Sequence, residues 1–415
     1  MNIGWLSASP GAKTGYGTQS TEIVDRLMTK HNVVCIAQVS DVIVWGGRQD
    51  IELPSGRKVE VLPLLGGAVV DTINKYYTPE FKLDVIIGFM DAFGIEFLND
   101  ADVPVVGWIP IDGNFTEMWA HHIRNWHRVT TYSLFGYHEL QKRLPASKIG
   151  YIPHGIPEEF KPLDKDTIRD DFDTKYGVPK DAVLYTNVGA NIGPRKELPL
   201  MIKTFGRLVK KVKAAGDEPP HLFMHTNAYQ PWPRGFDLIT WRRMMGMEDY
   251  VHFPVYNPIM SPVSNVGLAE IHTAADAYWQ NSVAEGFGLP AYEALACGTP
   301  VICPRNSAQV EIIERRGPRR GWLVENVPSD MYEQIPVYIP QLPTYPVPDQ
   351  NSALEALLEA YYNPDLREQY GKAGHRFIEK YHRWDTVMDG WFRLLGEVEA
   401  DLGMFVELQK AFATN

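Results

Sequence analysis

Short apolar runs of strand length alternate with segments of helical period along the first part of the chain. The runs fall at 2–8, 33–39, 84–89, 103–109, 128–133 and 149–152. Helical patterning falls at 18–30, 92–99, 116–125 and 135–144, with Pro, Gly and Asp between. Strands covered on both faces read as continuous apolar stretches, so this alternation predicts parallel sheets flanked by helices, an α/β fold. Residues 41–75 interrupt the rhythm. There Gly46-Gly47 and Pro54-Ser55-Gly56 punctuate short alternating pieces that predict hairpins on one sheet edge.

A Pro- and charge-rich stretch at 153–180 suits a connection between domains, and the strand-then-helix pattern restarts after it. Ala182-Val183-Leu184-Tyr185-Thr186-Asn187-Val188-Gly189 reads as a strand ending in glycine. Leu198, Ile202, Phe205, Val209 and Val212 then mark one face of a helix whose lysines lie elsewhere on its surface. The proline-dense residues 335–350 read as a surface excursion. At the end, apolar residues recur every three or four positions from Trp384 to Phe405, predicting a long amphipathic helix with Asp385 as its cap.

Composition narrows this picture modestly. A chain of 415 residues exceeds one ordinary core, and 45% apolar with 22% charged residues is ordinary for globular domains. The formal charge of −11 argues against indiscriminate binding to nucleic acid or anionic lipid. Cys35, Cys297 and Cys303 lack the paired spacing of a disulfide framework or zinc site. No run approaches the roughly 20 apolar residues of a membrane span, and the first residues read as a strand. The expectation is a cytoplasmic protein.

The chemistry concentrates at 285–302, which reads as loop, helix and strand. Pro290 suits a first helical turn, and Gly298 with Pro300 ends that helix before Val301-Ile302. Gly286 and Gly288 allow close backbone approach, and the amides of the following helix start suit an anion. Glu285 precedes the turn and Glu293 is expected in the first helical turn, so the two carboxylates flank the anion site. Carboxylates accept hydrogen bonds from sugar hydroxyls.

This stretch, Glu285-Gly286-Phe287-Gly288-Leu289 through Glu293, resembles the donor-site signature of retaining glycosyltransferases with the GT-B fold, the group 1 or family 4-like enzymes, whose E-x7-E pattern it matches. The resemblance continues upstream in Ala269–Ala277 and downstream in Ala308-Gln309-Val310-Glu311. Gln280-Asn281-Ser282 departs from the proline-serine pair common there. The resemblance implies two Rossmann-like domains facing a central cleft, with Glu285 contacting hydroxyls of the donor sugar and Glu293 holding the nucleotide ribose. It further implies an acceptor domain at 1–178, a donor domain at 179–385 and a final helix, 386–415, crossing back to the first domain.

Three further turns join this reading. Val188-Gly189-Ala190-Asn191-Ile192-Gly193-Pro194-Arg195-Lys196 places two cations at the ligand end of a strand, and the resemblance assigns Arg195 and Lys196 to the donor phosphates with Asn191 assisting. The glycine-rich turn carrying Gly15 and Gly17 lacks a P-loop ending, and the resemblance places it at the same phosphates. Asp112 ends a strand of the first domain and is the candidate for organising the acceptor. His154 matches a turn near the hinge.

The expected reaction moves a sugar from a UDP- or GDP-sugar to an acceptor hydroxyl with retention, without metal or other cofactor. A nucleotide-sugar epimerase, a phosphorylase and a non-catalytic nucleotide-sugar binder share the architecture. The acceptor stays open among a sugar, a lipid-linked group, a protein side chain and a modified DNA base. The basic stretch Arg315–Arg320 reads as a solvated loop, with an anionic partner as its alternative.

Overall fold

The computed structural model describes residues 1–38, 47–64, 69–230, 235–258, 261–328 and 346–413. It divides into two compact units. One comprises Met1–Ile111, Phe115–Gly155 and Trp384–Asn415, and the other Asp112–Asn114 and Ile156–Arg383.

The first unit is built on eight strands: β1 (Asn2–Ser7), β2 (Asn32–Gln38), β3 (Gln49–Glu52), β4 (Lys58–Leu64), β5 (Val85–Gly88), β6 (Val105–Ile109), β7 (Arg128–Thr131) and β8 (Ile149–Tyr151). Their order is β3-β4-β2-β1-β5-β6-β7-β8. Every pairing is parallel except the β3–β4 hairpin at one edge. Between Gln49 and Leu64 the interruption in the sequence rhythm is this hairpin, whose second strand extends the main sheet; Gly46 lies outside the described residues, and residues 69–77 are helical. The helical period at 92–99 resolves into two 3-10 turns, Ala92–Gly94 and Glu96–Asp100. Gly94 and only three buried apolar residues, Ala92, Ile95 and Leu98, leave too little length for an α-helical stripe.

The last helix, Trp384–Ala413, belongs to this unit. Trp391 is fully buried, its ring centroid 5.8 Å from Trp5 and 5.1 Å from Trp108. Asp401 accepts from Arg128 Nη2 at 2.7 Å. Asp385 is the second helical residue rather than the cap, so it complements the helix dipole. The Phe405 end of the apolar stripe lies outside the described side chains, as residues 335–345 of the proline-dense stretch lie outside the described residues.

The second unit carries β9 (Leu184–Val188), β10 (His221–His225), β11 (Val251–His252), β12 (Ala277–Trp279), β13 (Val301–Pro304) and β14 (Gly321–Val324). They form one sheet in the order β11-β10-β9-β12-β13-β14, parallel throughout. The helix Leu198–Ala215 buries Leu198, Ile202, Phe205, Val209 and Val212 against this sheet, as their spacing predicts. The Pro-rich stretch before β9 holds an element that the sequence pattern does not announce, the helix Lys165–Tyr176. Only Phe172 and Arg169 of that helix are buried, so it has no long apolar stripe. Its place is held by Phe172 against Phe223 and by Lys165 and Arg169 on Asp276.

Candidate active site

The second sheet reverses its winding between β9 and β12, because β10 and β11 are added on one side of β9 and β12 to β14 on the other. In open α/β sheets a crevice opens at such a point, beyond the carboxyl ends of the strands. The two loops that leave there carry Arg195-Lys196 and Glu285. Lys196 Nζ hydrogen-bonds Glu285 Oε1. Arg195 Nη1 lies 3.2 Å from Glu285 Oε2 and 3.0 Å from the Ala284 carbonyl.

Glu285 is buried, at 7% exposure. Burial alone would raise its pKa, but Lys196 and then Arg195 outweigh it and hold the carboxyl down at about 2. Lys196 is lowered from its ordinary value, first by its own burial and then by Arg195, against the opposing pull of Glu285 and Asp112. Two cations thus gather on Glu285 at this strand end, with the Asp112 charge also felt at Lys196.

Backbone and amide contacts fix the Glu285 loop. Val283 N–H donates to the Arg195 carbonyl at 3.0 Å. Glu285 N–H donates to Ser307 Oγ at 2.9 Å, and Gln309 Nε2 donates to the Ser282 carbonyl at 2.9 Å. Gln280 Nε2 in turn reaches Gln309 Oε1 at 2.6 Å. Ser307 holds φ of 43°, a left-handed conformation that costs a non-glycine residue about 1–2 kcal/mol. The roles of Gln280, Ser307 and Gln309 are absent from the sequence reading. Their signal is a set of polar residues directly after β12 and β13, where a purely structural turn needs none of them buried.

Beyond Glu285 and Gly286 the loop is anchored by Phe287, stacked on Tyr292 at 4.0 Å with an interplanar angle of 9°. Gly288 caps the helix Leu289–Ala296 with φ of 92°, which only glycine adopts freely. Leu289 opens the helix, half-buried. Glu293 is its fifth residue and so begins the second turn, not the first as the sequence pattern suggested. The helix starts at Leu289, one residue before Pro290, and this fixes the count. Glu293 Oε2 stands 3.6 Å from His272 Nε2, and these two carboxylates, Glu285 and Glu293, thus have different neighbours.

The other candidates separate. Asn191 is buried and its amide serves the loop, Nδ2 donating to the Asn227 and Phe236 carbonyls and Oδ1 accepting from Phe236 N–H at 3.0 Å. Asp112 is grouped with the second unit, and its charge reaches Lys196. Gly15 and Gly17 open the helix Gly15–Leu27 of the first unit. Gly17 N–H donates to the capping Thr14 Oγ1, and a Cβ there would meet the Ala12 carbonyl oxygen at 2.2 Å. That close approach explains this glycine independently of any ligand. The first sheet reverses between β1 and β5, where Tyr16 donates to Asp91 Oδ2 at 3.2 Å, a pair without a sequence motif. His154 is buried, bonded to Gln19 and ringed by Trp108 and Tyr132.

The basic stretch Arg315–Arg320 is internally paired. Arg320 is buried and donates to the carbonyls of Ile312, Glu311, Arg316 and Pro318 while covering the Phe377 ring at 3.9 Å. Arg315 and Arg319 face Glu311 and Glu314, and Arg316 lies over Tyr381.

Residues 246–335 match the model of a family described as glycosyl transferases group 1. The matched span contains both Glu285 and Glu293. Among solved structures, sucrose-phosphate synthase from Thermosynechococcus elongatus superposes with a TM-score of 0.70 at 17% identity, over 97% of this chain and 100% of that one. HepE from Anabaena, solved with UDP and glucose, superposes with a TM-score of 0.67 at 13% identity, over 96% and 100%. The fold is GT-B. Among curated relatives, D-inositol 3-phosphate glycosyltransferase 2 of Catenulispora acidiphila is 31% identical over 154 residues, which are 36% of this chain and 32% of that protein. The chain thus spans well under half the length of the curated relatives it matches first, 32% and 34% of the two. In the described residues of this GT-B protein no helix is long and apolar enough to cross a membrane.

Proposed function

We propose that the protein transfers a sugar from a nucleotide-diphosphate sugar to an acceptor hydroxyl with retention of anomeric configuration, without a metal ion. The observation that carries this reading is the Arg195–Lys196–Glu285 cluster at the reversal of the second sheet. In this reading the cationic pair and the amides at the start of the helix Leu289–Ala296 receive the diphosphate, whose negative charge grows as the sugar leaves. Glu285, ionised across the whole physiological range, accepts hydrogen bonds from donor-sugar hydroxyls. Glu293 accepts from the ribose hydroxyls.

Retention is taken from the resemblance of the Glu285–Glu293 stretch to retaining enzymes, and Glu285 bears only on the route by which it is reached. A double displacement needs a nucleophilic carboxylate at the anomeric carbon. A carboxylate held by two cations at a pKa of about 2 is a poor nucleophile. The departing diphosphate oxygen then takes the acceptor proton, and the acceptor adds on the face the diphosphate leaves. Asn191 and Gln309 keep their loops in place, while Gly15 and Gly17 are assigned to the donor phosphates by resemblance alone and Asp112 to the acceptor from its place after a strand end. The supply of nucleotide sugars and three buried free cysteines favour a cytoplasmic setting.

UDP-glucose is the donor to test first, since HepE has been solved with it, and D-inositol 3-phosphate is the acceptor suggested by the curated relatives' names. The experiment is a screen of UDP-, GDP- and ADP-sugars for acceptor-independent hydrolysis and for transfer, with the anomeric product read by NMR. An α-donor yielding an α-product supports the proposal. An inverted product overturns retention, and neither turnover nor thermal stabilisation by any nucleotide sugar overturns the reading as a whole.

A further inference from the structure

We propose that His272 is the positioning residue for Glu293, holding one carboxylate oxygen so that the other can accept from a ribose hydroxyl; this rests on the nucleotide-sugar reading above. His272 lies in the last turn of the helix Asn265–Ala274 with none of its surface exposed. Neither ring nitrogen has a hydrogen-bond partner among the described residues. Around the ring stand Tyr278, 5.5 Å away between centroids, and Phe160, 6.2 Å away. These aromatic faces hold the imidazole plane but offer its nitrogens no strong partner. A buried N–H without an acceptor is costly, and Glu293 Oε2 at 3.6 Å from Nε2 is the nearest charged acceptor the structure gives it.

The separation is informative. It is too long for a hydrogen bond and about half an ångström from becoming one. A small rotation of the Glu293 side chain closes it, and among the described residues the Glu293 carboxylate has no ion pair other than this approach to His272. An ionised carboxylate offers about four lone-pair sites. With Oε2 taken by His272 Nε2–H, the carboxylate plane is set, and 14% of the Glu293 side chain stays exposed to a ligand. Ribose binding and closure of the His272 contact therefore favour one another. The order of cost is also right: the buried donor is satisfied only in the bound arrangement, so its hydrogen bond adds to nucleotide affinity and not to the empty state.

The test is calorimetry of the full chain with UDP, and with GDP if that binds more tightly. His272→Phe removes the donor and keeps an aromatic ring, and should weaken binding about tenfold. His272→Gln, whose Nε2 reaches the same place, should recover most of that loss although the core is altered. In a Glu293→Ala background His272→Phe should have no further effect on affinity. A purely structural histidine would instead lower the melting temperature in both variants, with no rescue by glutamine and the same affinity loss in either background. Unchanged UDP and GDP affinity in Glu293→Ala alone overturns the ribose assignment and this role with it. A Glu293 effect alongside wild-type binding by His272→Phe overturns only the role of His272.

Discussion

Arg195 Nη1 and Glu285 Oε2 lie 3.2 Å apart although 90 residues separate them in sequence, because they leave adjacent strand ends where the second sheet reverses. The relationship has two consequences. It desolvates a carboxylate that remains charged, and it gathers two cations on that carboxylate. In the proposed reading an incoming diphosphate takes hydrogen bonds from these cations while Glu285 accepts from sugar hydroxyls.

Replacing Lys196 with methionine should lower turnover by about 10²–10³, the range for losing a donor aimed at developing charge. It should also lower stability by about 3 kcal/mol or less, since Arg195 still compensates buried Glu285. Single-turnover rates beside chemical denaturation separate the two losses. A rate that falls only in proportion to the unfolded fraction contradicts the assignment.

If Arg195, Lys196 and a helix start carry the diphosphate, a divalent cation is not needed for the leaving group. Activity with the cognate donor should stay within about twofold after EDTA treatment, an effect too small to represent a lost charge contact. Abolition by EDTA and restoration by Mg²⁺ or Mn²⁺ would show that the electrostatics were assigned to the wrong groups.

The fold was legible because its strands are continuous apolar runs and its helices periodic ones; Val85-Ile86-Ile87 and the Leu198–Val212 stripe need no partner to be recognised. Glu285 and Glu293 are marked out in the sequence by the glycine turn and the Leu289-Pro290 helix start, and their proposed roles come from the resemblance. What stayed hidden has a common physical cause. The Lys196–Glu285 pair, Gln309 on Ser282 and the approach of His272 to Glu293 join residues distant in sequence, and nothing local distinguishes them. The basic stretch misleads in the opposite sense: Arg320 looks solvated among four arginines, yet its guanidinium is buried on four carbonyls. The helix Lys165–Tyr176 was hidden by a surface rich in charge, with two buried residues in place of a stripe.

His221 and His252 give a pH dependence of stability independent of the active site. His221 Nδ1 and His252 Nε2 are 2.8 Å apart, and burial lowers each to about 4, helped at His252 by the neighbouring His221. The folded values lie below the ordinary 6.5, so the unfolded chain binds protons first. Their stabilising contribution is complete above about pH 6.5 and is lost as pH falls toward 4. A loss on the order of 2–3 kcal/mol for the pair is expected between pH 6.5 and 5. Glu285 remains ionised throughout that window and adds nothing to the slope. Denaturation against pH should flatten in His252→Phe, and an unchanged slope would remove the pair as its source.

Glu197, next to Lys196, should respond with the opposite sign. Its backbone is left-handed at φ of 51°, and burial raises its carboxyl to about 7. The folded value exceeds the ordinary 4.5, so stability is greatest below pH 4.5 and declines as pH rises through 7. Glu197→Gly relieves both the conformation and the buried charge, against a glycine entropy cost of up to about 1 kcal/mol. The variant should melt higher than wild type at pH 8, with a smaller gain at pH 5. A lower melting temperature at pH 8 would mean that the side chain makes a stabilising contact outweighing both costs.

The helix Trp384–Ala413 should be essential to the first unit and not an appended tail. Trp391 lies with no exposed surface between the rings of Trp5 and Trp108, and Leu395 and Val398 continue its buried face. At the start of the helix, Trp384 packs so closely on Gly155 that a Cβ there would stand 2.3 Å from Trp384 Cδ2. The two ends of this packing are thus fitted to the same helix: one by a large side chain that fills space, the other by the absence of one. Trp391→Ala should cost about 3–5 kcal/mol, the usual loss for a buried tryptophan, and Gly155→Val should be similarly disruptive because the indole has no flexible end to yield. Deleting 386–415 removes the same burial at once and exposes Trp5 and Trp108, so the shortened chain should bind a hydrophobic dye and lose its cooperative thermal transition. Retention of the wild-type melting temperature and full activity by the shortened chain would show that the aromatic cluster is complete without the helix.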